Sequence, residues 1–297
     1  MPRAGDALRS SCLLLLGLAL SVNAFGRSEL VVDLGRGPVT VHLPPSYDPG
    51  VATPLLVLLH GYGATGDVQE LYMRFTPLAD EFGFLYAHPD GSKDPLGLQF
   101  WNATDACCDF FGSGIDDSGY LLDLIEAIKG LANVDRDRVY LVGHSNGGYM
   151  SYRMACDHAD TIAAIASLAG ATWLDPASCS PSGPVHILEI HGTEDRLVRF
   201  MGGCTFPSTC YPGAIETVRQ WAAFDRCDPF VDTSPAPINL DFRVPGDETR
   251  IARVDQGCLP SGSAELWVMQ GVGHIPFLSR DFSRMVVEHL LAHPKGH

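Results

Sequence analysis

The sequence predicts an α/β protein, a single domain with a mostly parallel central sheet flanked by helices. Short apolar runs of strand length fall near residues 29–34, 39–43, 55–59, 84–88, 139–143, 163–168, 185–190, 249–255 and 265–270. Through most of the chain they alternate with helical patterns near 68–82, 118–131, 146–157, 213–225 and 279–293, the alternation that builds an α/β fold. The chain has 297 residues, enough to bury roughly 70 to 75 per cent of its unfolded surface around one core. Repeats and low-complexity tracts are absent.

From the N-terminus, Arg3 and Arg9 precede an apolar stretch from Cys12 to Leu20, and Val22-Asn23-Ala24 has the small-residue form of a cleavage site. Residues 1–24 therefore read as an export signal, with residues 25–297 as the domain that follows. The apolar stretch is too short to span a bilayer, which takes about 20 residues, and no later stretch reaches that length. No membrane association is expected, and the destination is extracellular or periplasmic. The run 55–59 continues into His60-Gly61-Tyr62-Gly63. Beyond it lies a long loop, 91–117, carrying Trp101, Phe110 and Phe111. Asp117 or Ser118 then caps the helix near 118–131, and Asp116-Asp117 read as a cap beside a buried hydrogen bond in preference to a calcium site.

The run 139–143 ends in Gly143-His144-Ser145-Asn146-Gly147, a Gly-x-Ser-x-Gly turn from strand to helix. A serine can attack an ester when its Oγ stands clear of the backbone on a sharp turn, and glycines at minus two and plus two keep neighbouring backbone from colliding there. Ser145 is the expected nucleophile. The run 185–190 leads to His191-Gly192-Thr193-Glu194-Asp195, which places Asp195 at a strand's carboxyl end as the orienting acid, with Glu194 as the alternative. A second long loop, 196–212, follows with Phe200, Phe206 and Tyr211. Finally, the run 265–270 delivers Gly273-His274 just before the last helix, and His274 is the expected base among eleven histidines. The order serine, acid, histidine suits a nucleophile, a general base and a group that holds the base's tautomer. The oxyanion of the tetrahedral intermediate needs two backbone N–H donors. Asn146, opening the helix, supplies one and Tyr62 the other.

These segments together resemble the α/β-hydrolase esterases of the polyhydroxybutyrate depolymerase-like and feruloyl or acetylxylan esterase-like group. The resemblance rests on His60-Gly61-Tyr62-Gly63, on Trp101-Asn102 with Cys107-Cys108 and Ile115-Asp116-Asp117, on the Ser145 turn, and on His191-Gly192-Thr193-Glu194-Asp195. It implies a single-domain α/β-hydrolase fold without a large lid, and a secreted carboxylic ester hydrolase with Ser145, Asp195 and His274 as its triad and no cofactor or metal. It also implies a substrate contact at Trp101, in the family's Trp-Asn element. The other loop aromatics are expected mainly to pack. The chain departs from the pattern after the histidine, where Ile275-Pro276-Phe277 stand in place of the aromatics that family members often carry.

The formal charge is −15, becoming −16 without residues 1–24, and no cluster of Lys and Arg is present to recognise phosphates, which disfavours nucleic acid. Of nine cysteines, eight lie beyond Cys12, an even count that favours disulfides in an exported chain. Loop geometry suggests Cys204 with Cys210, and the family resemblance suggests Cys227 with Cys258. Zinc is disfavoured because no Cys-x-x-Cys pair occurs. The expected substrate is a small-molecule, oligosaccharide-linked or polyester ester, turned over by a monomer. A serine peptidase and a noncatalytic binding protein on the same fold are the alternatives.

Overall fold

The computed structural model describes residues 28–206 and 209–296, so the expected export signal lies outside the described residues. In chain order the elements are β1 (Glu29–Asp33), β2 (Pro38–His42), β3 (Thr53–Leu59), α1 (Gly66–Met73), α2 (Thr76–Phe82), β4 (Leu85–Ala87), β5 (Ser92–Lys93) and β6 (Gln99–Phe100). They continue with α3 (Asp117–Leu131), β7 (Val134–His144), α4 (Asn146–Asp157), β8 (Ala164–Leu168), β9 (His186–Gly192), β10 (Gly202–Phe206) and β11 (Thr209–Pro212). The last are α5 (Ala214–Phe224), β12 (Thr249–Val254), β13 (Ser263–Met269) and α6 (Phe282–Leu291).

Nine strands form one sheet in the order β1-β2-β4-β3-β7-β8-β9-β13-β12. The six from β4 to β13 run parallel, while β1, β2 and β12 join antiparallel at the edges. All nine are the strands that the apolar runs predict. Parallel strands are covered on both faces and so read as unbroken apolar runs. Every residue of β3 is buried, with Leu55, Val57 and Leu59 facing one core and Leu56 and Leu58 the other. The first core takes Leu121 and Leu124 of α3, Met150 of α4 and Trp221 of α5, and the second takes Met73, Ala79 and Val286 from α1, α2 and α6.

Two boundaries differ from expectation. The helical pattern over 68–82 is two helices, because a continuous helix would need an N–H that Pro77 lacks. Instead α1 stops at Arg74 in the left-handed region, and the Glu70 carboxylate accepts from the N–H groups of Phe75 and Thr76, both at 2.9 Å. The cap of α3 is Asp116 rather than Asp117 or Ser118. Its carboxylate accepts from the Gly119 N–H at 2.8 Å, which frees Asp117 to be buried whole. The two long loops carry only the short hairpins β5–β6 and β10–β11, so no large lid covers the sheet among the described residues. Among those residues, no helix is long and apolar enough to cross a membrane.

Candidate active site

Strands β3, β7, β8, β9 and β13 are parallel neighbours, so their carboxyl ends open on the same edge of the sheet. Ser145 follows β7 in the left-handed region (φ 55°), a strained conformation for a non-glycine residue. The flanking glycines permit it. A Cβ on Gly143 would lie 2.0 Å from the Gly147 carbonyl, and one on Gly147 2.1 Å from the carbonyl of Leu59 on β3.

The loop after β13 brings the His274 ring to Ser145, with Nε2 2.9 Å from Oγ. Its Nδ1 lies 2.6 Å from Asp195 Oδ2, in the loop after β9. Residues 129 and 79 positions apart in the chain thus form one hydrogen-bonded row. Glu194, the alternative acid, is exposed and takes no part in it. Asp195 Oδ1 accepts from the N–H groups of Leu197 and Val198 at 2.8 and 2.9 Å. Burial alone would raise the Asp195 carboxyl, but hydrogen bonds from His191 and His274 outweigh it and hold the group well below the usual carboxylate range. His144, beside Ser145, is buried. Desolvation, helped by the neighbouring His274, lowers it to about 4. Its ring therefore stays neutral and donates from Nε2 to the His274 carbonyl (3.0 Å), holding the loop that carries His274.

The Tyr62 and Asn146 N–H groups, the expected oxyanion donors, make no hydrogen bond among the described residues. The loop holding Tyr62 is tied down twice. The Gly61 N–H donates to Gln69 Oε1 (3.2 Å), and the Tyr62 hydroxyl donates to Asp94. The side chain of Asn146 has its own task, one that the sequence did not reveal. Its Oδ1 accepts from the Trp101 N–H (2.7 Å) and its Nδ2 donates to the Trp101 carbonyl (2.8 Å), clamping the long first loop to the turn that carries Ser145.

Trp101 itself corrects an expectation. Its ring is wholly buried and packs against His60, at 5.0 Å between centroids, so it supports the site's floor and is out of reach of a substrate. A large ring can serve either end because a Trp-Asn pair alone does not reveal which face of its loop is open. The cleft of about 580 Å³ over Ser145 is walled instead by Tyr62, Tyr72, Phe110, Leu197, Tyr211 and the Cys107–Cys108 pair. Thr205 Oγ1 donates to the Ala106 carbonyl (2.8 Å), joining the two long loops beside the cleft.

Cys107–Cys108, Cys156–Cys179, Cys204–Cys210 and Cys227–Cys258 are the four disulfides. Two of them are the pairs anticipated above. The Cys107–Cys108 wall of the cleft was not anticipated, since adjacent cysteines give no sign of pairing with each other. Among the described residues, no cluster of three or more His, Cys, Asp or Glu side chains is arranged to hold a metal ion. Asp117 is engaged by Arg36, by Ser92 Oγ (3.1 Å) and by the Asn102 N–H (2.6 Å), a buried hydrogen-bond hub below the first loop.

Also unforeseen is a buried pair beneath Asp195. His191 and Glu189 stand two residues apart on β9, the period that puts both side chains on one face. His191 Nδ1 lies 2.8 Å from Glu189 Oε1, and Nε2 lies 2.8 Å from the Val198 carbonyl and 3.5 Å from Asp195 Oδ2. Burial alone would lower the His191 imidazole, but the carboxylates of Asp195 and Glu189 outweigh it and raise it to about 9. Two ionisable residues at alternate positions, Glu189 and His191, interrupting the apolar run of β9 are the signal in the sequence that could have found them.

A model of the Alpha/beta hydrolase family matches residues 56–286. Feruloyl esterase B of Piromyces equi is 32% identical over 197 residues, which are 64% of this chain and 35% of that protein. The bifunctional acetylxylan esterase/xylanase XynS20E of Neocallimastix patriciarum is 29% identical over 180 residues, 61% of this chain and 24% of that protein. The chain thus spans about a third or less of the length of either relative. In three dimensions it is similar to an acetyl xylan esterase from Aspergillus awamori (TM-score 0.62, 17% identity, 89% of this chain and all of the other), which speaks for the fold. With a family match over most of its length, the chain belongs to the alpha/beta hydrolase family.

Proposed function

We propose that this chain is an exported serine carboxylic ester hydrolase that works through an acyl-enzyme. The observation that carries the reading is the row Ser145–His274–Asp195 at the mouth of a largely apolar cleft. In it His274 takes the proton of Ser145 as Oγ attacks the ester carbonyl, and Asp195 holds the imidazole with Nδ1–H inward and stabilises its charged form. The developing oxyanion is received by the Tyr62 and Asn146 N–H groups, each such donor contributing roughly 2.7–4 kcal/mol to lowering the barrier. Collapse of the intermediate expels the alcohol, which takes its proton from His274. Water, deprotonated by the same imidazole, then releases the acid and restores Ser145.

The substrate class we infer is a feruloyl or acetyl ester of a sugar, or a polyhydroxyalkanoate-type polyester and its oligomers. Aromatic and aliphatic walls suit an apolar acyl group, and the names of the two relatives above point to the sugar esters. Export is supported by four disulfides, which persist in oxidising compartments. The deciding test is a burst of p-nitrophenol from p-nitrophenyl acetate that disappears in Ser145→Ala. Undiminished turnover by that variant would end the assignment. Comparison of kcat/KM for methyl ferulate, acetylated xylan and hydroxybutyrate oligomers then separates the substrate classes.

A further inference from the structure

We propose that the buried Glu189–His191 pair is a positioning device for the reaction. It grips the Asp195 carboxylate beside His274's own contact and limits how strongly His274 holds a proton. This rests on the ester-hydrolase reading above.

The geometry sets the protonation of the ring. His191 Nε2 faces the Val198 carbonyl, which can only accept, so that nitrogen carries a hydrogen. Nδ1 faces the Glu189 carboxylate at 2.8 Å, and the other oxygen of Glu189 already accepts from the Tyr152 hydroxyl at 2.9 Å. Burial raises the Glu189 carboxyl, and hydrogen bonds from His191 and Tyr152 oppose that; with Glu189 ionised, acceptors face both nitrogens and the ring is the doubly protonated imidazolium. The His191 and Glu189 side chains are almost fully enclosed, at 1% and 0% exposure, so water screens this charge weakly. The groups facing the ring are Glu189 on its own strand, Asp195 and Val198 in the following loop, and the edge of Phe200, with Tyr152 of α4 reached through Glu189. Among the described residues, neither lysine nor arginine forms an ion pair with Glu189 or Asp195. His191 is therefore the cation that shares Asp195 with His274. His274 faces Asp195, Ser145 and the neutral ring of His144, 5.2 Å away between centroids.

A cation on one side of a carboxylate weakens its pull on a second cation opposite. With His191 charged, Asp195 pulls less strongly on an imidazolium at His274 than it would without that cation. Glu189 keeps His191 charged. Without that carboxylate, burial drives the proton off.

The test uses Glu189→Gln and His191→Gln in the full chain, with Ser145→Ala as the inactive reference. The pH profile of kcat/KM for p-nitrophenyl acetate is measured alongside ¹⁵N spectra of the His191 ring in Ser145→Ala. The spectra should show both ring nitrogens protonated at neutral pH. In both variants the acid limb should move upward by about half a pH unit or more, as loss of a nearby like charge requires. An unmoved acid limb in folded variants overturns the proposal, as does a neutral His191 ring, the reading that stands alone if the variants do not fold. Absence of Ser145-dependent activity in the parent chain would instead sink the ester-hydrolase reading, and the spectra would still report the charge of the pair.

Discussion

Asp195 is a small side chain that accepts three hydrogen bonds and lies 3.5 Å from a second imidazole. Two backbone N–H groups fix one oxygen, and the rings of His274 and His191 share the other. Replacing it by asparagine keeps the size and the contacts to Leu197 and Val198 but removes the charge beside His274 Nδ1 that, in the proposed mechanism, fixes the tautomer. Asp195→Asn should lower kcat by about 10⁴ with an unchanged far-UV circular dichroism spectrum, by analogy with the same change in other triads. A loss of tenfold or less would show that another group orients His274.

At the scale of elements, the turn that carries Ser145 is where β7, α4 and β3 meet. The Gly147 position has no room for a methyl group, because the obstructing atom is a backbone carbonyl of β3 and cannot rotate away. Gly147→Ala should therefore pry α4 from the sheet. We expect it to cost about 1–3 kcal/mol, the range for overpacking, and to lower Tm by several degrees. Esterase turnover should fall further than that loss explains, since Asn146 N–H and the Asn146 clamp on Trp101 ride on the same turn. Thermal melts and p-nitrophenyl acetate kinetics on one preparation would check both. Normal activity in a destabilised protein would separate the turn's fit from its chemistry.

Across the whole molecule, Asp225 ties distant segments together. It ends α5, accepts from the Val185 N–H at the start of β9 (3.2 Å), and offers its own carbonyl to Leu259 ahead of β13. Burial pushes its carboxyl up to about 8, and one oxygen has no partner. The native protein thus keeps this proton up to about pH 8, whereas the unfolded chain releases it near pH 4. Stability is unaffected by this group below the lower value and is lost progressively as pH rises through the interval, because the unfolded state binds fewer protons there. Asp225→Asn should flatten the decline of Tm between pH 5 and 8, and thermal melts at each pH would check it. An equal slope in both proteins would mean that Asp225 ionises normally in the fold.

The nine sheet strands, the turn that carries Ser145 and the Cys204–Cys210 pair were legible in the sequence because each depends on neighbours within a few residues, whereas the Cys227–Cys258 pair, 31 residues apart, was suggested by the family resemblance. Apolar runs reveal burial, Gly-x-Ser-x-Gly reveals a strained turn, and a residue just past a strand lies at the functional edge of a parallel sheet. What only the tertiary structure decided concerns which side chains meet across the sheet's edge. Trp101 turned inward where a substrate contact was expected, Cys107 joined Cys108, and His191 acquired two carboxylates through the packing of β9 under the following loop. Local pattern fixes whether a residue is buried, but which groups it meets depends on how loops fold back over the sheet, as when Asn146 meets Trp101, 45 residues away in the chain.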